Sequence, residues 1–148
     1  MGAQRVFLTM CTFERARYFA NVEAAERVRE QLVSTASRSD VEVLAFCFMP
    51  DHLHMVIEGR NEQANCRKYA DEFRRRSAFR FRRDRRARLW QDGYFDRVLR
   101  REEATLDVVR YILLNPVRAG LCANPNDYAL LGSSRYHIRN LMTAGTTG

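Results

Sequence analysis

With 148 residues, 46% of them apolar and 29% charged, the chain has the size and composition of one soluble globular domain and is too short for two ordinary ones. No apolar run approaches the roughly 20 residues of a membrane helix, so a membrane protein is not expected. The net charge of +7 carries a bias: Lys68 is the only lysine among 25 lysines and arginines.

The opening segment MGAQRVFLTMCTFERAR has neither the long apolar stretch nor the small-residue cleavage site of an export signal, and Val6 stands where a myristoylation signal needs Ser or Thr. A cytoplasmic protein is expected. Cys11, Cys47, Cys66 and Cys122 lie far apart, without the close pairs of zinc or redox motifs, and read as reduced core thiols.

In chain order, QRVFLTMCTF (4–13) is β-branched and aromatic enough for a strand, and NVEAAERVREQLVSTAS then reads as a helix capped by Asn21. VEVLAFCFM (41–49) and HLHMVIEG (52–59) are two strands joined tightly at Pro50 and Asp51, which predicts a hairpin. Residues 61 to about 80 read as a second helix with Cys66, Tyr69, Ala70 and Phe73 on one stripe. LWQDGYFDRVLR (89–100) predicts a fourth strand or small hairpin turning at Asp92 and Gly93. EEATLDVVRYILLNP (102–116) predicts a third helix, with Leu106, Val109, Ile112 and Leu113 on one face and Pro116 as its end.

The order βαββαβ is that of an α+β, ferredoxin-like sandwich: two helices cover one face of a four-stranded antiparallel sheet, the other face is open, and a further helix follows. Turn signals, a short SSRYHIRN segment and a small polar tail complete one domain over 1–141, with 142–148 expected to be disordered.

Residues 72–90, EFRRRSAFRFRRDRRARLW, hold nine arginines: Arg74, Arg75, Arg76, Arg80, Arg82, Arg83, Arg85, Arg86 and Arg88. Such a run is often only a solvated helix face. Guanidinium groups also fork onto phosphates, so this density with interleaved Phe79, Phe81 and Trp90 favours a nucleic acid. Those aromatics are either base-stacking partners or core.

His52 and His54 project from one side of a strand while Leu53, Met55 and Ile57 project from the other. Two neutral imidazoles on the uncovered sheet face suit a catalytic ion with open positions better than a structural zinc, although they could equally be solvent-facing histidines without a ligand. Glu58 lies about 13 Å along the strand from His54, beyond the same shell, and Asp51 points the other way. In the third helix, Tyr111 and Asn115 share a face one turn apart; an amide oxygen could complete a metal shell and a phenol could attack a phosphorus, or both could be ordinary core and helix-end residues.

The stretches FCFMPDHLHMVIEG, LWQDGYFDRVLR, VVRYILLNPVRAGL and NPNDYALLGSSRY, in this order and spacing, make the chain resemble the HUH single-tyrosine transposases, in particular the REP-associated tyrosine transposases. The resemblance covers about residues 5 to 140. It implies that His52 and His54 are paired metal ligands, that Tyr111 is the nucleophile, that Asn115 stands where such enzymes carry a polar third ligand, and that the ion is Mg2+ or Mn2+. The implied partner is single-stranded or hairpin DNA, bound by a monomer or homodimer, with no nucleotide cofactor. The chain departs from the family at Asp51, where relatives commonly have asparagine; the expected effect is on the turn, or on metal affinity through a charge near the ion. It also has Gly132 in place of the usual tryptophan, and Pro116 pulls Asn115 from helical geometry.

On this reading Tyr111 attacks a DNA phosphate and is held as a 5′-phosphotyrosine that stores the bond for rejoining. Competing readings are a binding-only protein derived from a transposase, an RRM-type RNA binder sharing the βαββαβ order, and a hydrolytic metallonuclease.

Overall fold

A computed structural model of the chain describes residues 4–61 and 65–136. The expected disordered tail at 142–148 lies outside the described residues.

The elements follow the order read from the sequence. Strand β1 (Arg5–Cys11) leads to helix α1 (Val22–Arg38), then the hairpin strands β2 (Val41–Met49) and β3 (His52–Gly59). Helix α2 (Cys66–Arg85), strand β4 (Phe95–Val98), helix α3 (Glu102–Arg118) and a two-residue β5 (Leu131–Gly132) complete it. The antiparallel sheet has the order β4-β1-β3-β2-β5, so the four-stranded sheet of the sequence reading gains a short fifth strand. Among the described residues no helix is long and apolar enough to cross a membrane.

Local chemistry sets the helix ends. The Asn21 side chain accepts from the Ala24 amide at 2.9 Å and starts α1. Asn65 does the same for Lys68 at 3.0 Å, so α2 begins several residues later than the sequence pattern suggests. At its other end α2 runs five residues past the expected boundary, until Arg86 turns left-handed (φ 54°) and its amide closes on the Arg82 carbonyl.

Strand alternation sorts β3 between two cores. Leu53, Met55 and Ile57 pack with Val28, Leu32, Tyr69 and Phe73 beneath α1 and α2. Val56, together with Leu44, Ala45 and Cys47 of β2, packs with Val109, Ile112 and Leu113 of α3 on the opposite face. The histidine face expected to be open is therefore covered by α3. The cause is visible in the composition of both partners: α3 has an apolar stripe that must leave water, and β2 offers small apolar residues to receive it.

Two further expectations are corrected and one open alternative is decided. Pro116 does not end α3; it lies buried within it, and the helix reaches Arg118, closing through Ala119 N–H to the Asn115 carbonyl at 2.9 Å. Asn115 thus keeps helical geometry. Trp90 and Phe81 are core residues, the indole N–H of Trp90 donating to Ser77 Oγ at 2.9 Å, whereas Phe79 is 71% exposed. All four cysteines are free, but only Cys47 and Cys66 are buried; Cys11 and Cys122 are half-exposed.

Ionic contacts hold α3 at its N-terminal end. Arg5 bonds Glu58 and Glu102 at 2.5 Å each, and Arg135 reaches Glu42 at 2.7 Å and Glu58 at 2.8 Å. Ile112→Ala should lower unfolding free energy by about 2–5 kcal/mol through the cavity it leaves, whereas Val22→Ala, 55% exposed, should stay within about 0.5 kcal/mol. Urea midpoints at constant m-value measure both.

Candidate active site

The antiparallel register places Thr9 of β1 directly opposite His54 and Cys11 opposite His52, and paired residues share a sheet face. Thr9 Oγ1 lies 2.8 Å from His54 Nδ1, and Asp51 Oδ1 lies 2.7 Å from His52 Nδ1. The two rings stand 4.6 Å apart between centroids at 77° to each other. Each imidazole therefore has its Nδ1 engaged, and neither Nε2 has a hydrogen-bond partner among the described residues.

His54 is only 7% exposed. Burial foremost, then the neighbouring His52 and Arg15, push its pKa from 6.5 down to about 4, so the ring is a neutral nitrogen base at physiological pH.

Helix α3 delivers the tyrosine. The Tyr111 ring meets His54 edge-on at 5.8 Å between centroids, yet Tyr111 remains 46% exposed to solvent. The Arg118 guanidinium lies 4.7 Å from the Tyr111 ring centroid and donates to the Tyr111 backbone carbonyl at 2.5 Å. Asn115 stands between them on the same helix, half-buried, its side-chain amide without a hydrogen-bond partner among the described residues. On the other side Phe7 packs 5.7 Å from the His54 ring.

Several contributors escape the sequence reading. Asp51 does not point away, as strand alternation suggests; it sits in the hairpin turn, where alternation does not apply, and turns back onto His52. Its other oxygen accepts from Arg15 Nε at 3.0 Å. Arg15 and Glu14 both adopt left-handed backbone (φ 56° and 55°), each costing about 1–2 kcal/mol for a residue with a Cβ. Thr12 compensates: its hydroxyl bridges the Ala16 and Asp51 carbonyls at 2.7 and 3.1 Å. No composition signal marks these residues, because their roles arise from a loop meeting a turn 36 positions away.

The nine arginines fall on a different layer. Helix α2 packs on the sheet face opposite α3, so Arg74 to Arg85 lie across the sheet from the histidines. Arg75 and Arg76 pair with Glu72 at 2.8 Å, Arg83 with Asp84 at 3.4 Å and Arg88 with Asp92 at 2.6 Å. Arg74 donates to the Gln91 carbonyl at 2.6 Å, and Arg85 reaches Asn21 at 3.4 Å. Arg80, Arg82 and Arg86 have no side-chain partner among the described residues. The end of the run returns toward the site: Arg88 stacks over Phe13 at 4.4 Å, the Phe13 amide bonds the Leu89 carbonyl, and Thr12 bridges Trp90.

Among the described residues no group of three His, Cys, Asp or Glu side chains could hold a metal. The donor set of two imidazole nitrogens plus an amide oxygen nevertheless fits a divalent ion, because neither Nε2 has a hydrogen-bond partner among the described residues and His54 is held neutral. Such a set leaves coordination positions for substrate oxygens.

The family model described as transposase IS200 like matches residues 3–114. No curated protein matches the chain. Among solved structures, that of a REP-associated tyrosine transposase bound to a REP hairpin superposes with a TM-score of 0.74 at 17% identity, covering 88% of this chain and 77% of the other. A Deinococcus radiodurans R1 protein assigned as a transposase superposes at 0.60 with 19% identity, covering 76% and 90%. At such identities these two likenesses establish a shared fold.

The depressed His54 pKa has a consequence for stability. The folded value, about 4, lies below the unfolded 6.5, so in this window the unfolded chain binds more protons and stability falls as pH falls. Relative to His54→Gln, the wild type should lose on the order of 3 kcal/mol at most between the two values. Urea denaturation of both proteins across that pH range measures the difference in slope.

Proposed function

The chain belongs to the IS200-like transposase family, and we propose that it cleaves and rejoins single-stranded hairpin DNA through a 5′-phosphotyrosine formed on Tyr111. The observation that carries this reading is the placement of an exposed Tyr111 ring 5.8 Å from His54 within the same chain. Packing alone does not require a phenol at that position, since the apolar face of α3 is formed by Val109, Ile112 and Leu113.

His52 and His54 through Nε2, with the amide oxygen of Asn115, would hold a divalent ion, Mg2+ or Mn2+, which when bound withdraws charge from the non-bridging oxygens of the scissile phosphate. The remaining work falls to the chain itself. Tyr111 Oη attacks the phosphorus in line; the phenol proton passes to solvent, the new P–Oη bond forms, and the P–O3′ bond breaks. The departing 3′ oxygen takes up a proton as a free hydroxyl. Reversal by another 3′ hydroxyl rejoins the strand, and because the phosphotyrosine keeps the bond energy, no nucleotide cofactor is needed. Arg118 holds the tyrosine ring by its face and its carbonyl, which limits the rotamers from which attack starts.

The arginines of α2 serve the strand away from the cleavage point. The ion pairs of the arginine run with Glu72, Asp84 and Asp92 are surface pairs worth about 1 kcal/mol or less, so a polyanion can displace them. DNA bound along α2 reaches the histidines around the sheet end where Arg88 and Phe13 meet. Phe79 is the one aromatic of the run placed to stack on a base. The hairpin substrate is supported by the fold neighbour bound to a REP hairpin.

Wild-type protein incubated with Mn2+ and single-stranded repeat hairpins from the DNA flanking its gene should give a denaturation-resistant protein–DNA adduct. Tyr111→Phe should give none, and His52→Ala only a small fraction. Hairpin binding without any adduct would identify a binding-only protein; free 5′ phosphate ends would identify a hydrolytic nuclease.

A further inference from the structure

The two candidate ligands are backed differently. Behind His54 stands a neutral hydroxyl, Thr9, within a nearly closed pocket. Behind His52 stands a carboxylate, Asp51, whose second oxygen is already taken by Arg15. Arg15 is fixed in turn: a second guanidinium nitrogen donates to Cys11 Sγ at 3.4 Å, and its left-handed backbone is held by the bonds of Thr12. The Thr12 amide also bonds the Asp51 carbonyl at 3.0 Å, so loop and hairpin turn move as one piece.

We infer that Arg15 and Asp51 form a positioning couple for His52, an outer layer of the metal centre that orients the ring and keeps the carboxylate itself off the ion. The inference rests on the metal reading proposed above. An acceptor at Nδ1 makes the imidazole carry its proton there, leaving Nε2 as the donor, and a negative acceptor makes that nitrogen a stronger one. An uncommitted carboxylate beside two imidazoles would itself be a ligand and would occupy a position that the substrate phosphate needs. Arg15 prevents this by taking Oδ2, and it offsets the negative charge at the same time. The strained conformation of two consecutive residues is the kind of outlier that persists where the surrounding structure over-determines it. Here it aims one guanidinium at one carboxylate.

Calorimetric titration of the DNA-free full chain with Mn2+ tests the couple without reference to activity. Asp51→Ala should weaken Mn2+ binding roughly 10–100-fold. Asp51→Asn, which keeps an acceptor for the ring but not the charge, should fall between it and wild type. In nitrogen-resolved NMR, the hydrogen-bonded His52 Nδ1–H should be protected from exchange in wild type and lost in Asp51→Ala. His54→Ala separates the two levels of the argument. If His54→Ala binds Mn2+ as well as wild type, the metal reading falls and this inference with it. If His54→Ala loses the ion while both Asp51 variants bind it like wild type, the inference alone is overturned.

Discussion

The site depends on one packing event, the docking of α3 onto the sheet face that carries the histidines. Without it, β3 would present two imidazoles to water and Tyr111 would belong to an unpartnered helix. Val109, Ile112 and Leu113 supply the driving force by burying against Ala45, Cys47 and Val56, and a non-directional force of this kind does not by itself choose a register along the sheet. Directional contacts join it at the far end, where Arg5 ties Glu102 of the first turn to Glu58 of β3. Burial would raise the Glu58 pKa, but its bonds from Arg5 and Arg135 prevail and hold it below the ordinary carboxylate value. Tyr111 lies two to three turns beyond this clamp, against His54.

Covering that face also decides the chemistry of the histidines. A fully exposed pair would titrate near neutrality and share its nitrogens with water; under α3, His54 becomes a neutral base with one tautomeric partner. The helix does not seal the site, because it is narrower than the sheet and leaves Tyr111, Asn115 and Arg118 along its open edge. The buried half sets protonation and ring orientation, and the exposed half faces solvent.

Much of this was legible in the chain because it is local. Alternation in FCFMPDHLHMVIEG gives both hairpin strands and the shared face of His52 and His54. Helical spacing gives the stripe of α3 and the common side of Tyr111 and Asn115. What was not legible depends on long-range register or on turn geometry. That Thr9 stands behind His54 follows from the pairing of β1 with β3, 45 positions apart. That Asp51 bonds His52 follows from a turn conformation that strand logic misreads. Composition left Trp90 and Phe81 open between base stacking and the core, and both belong to the core, where a loop folds Trp90 back onto Ser77. Pro116 was misjudged as a terminator because a proline removes only one i→i−4 bond, a local cost that its burial within α3 offsets. The arginine run was located correctly in the chain and left unplaced in space, since its layer is set by which face of α2 is apolar.

The central claim is that the histidine pair and Tyr111 form one centre within a single chain. Paramagnetic relaxation measures this directly: Mn2+ titrated into DNA-free protein carrying ring-labelled tyrosine should broaden the Tyr111 resonance, identified by its absence in Tyr111→Phe, well before that of Tyr69 in the opposite layer. Equal broadening of the two rings, or none at Tyr111 while the ion is bound, would contradict the account.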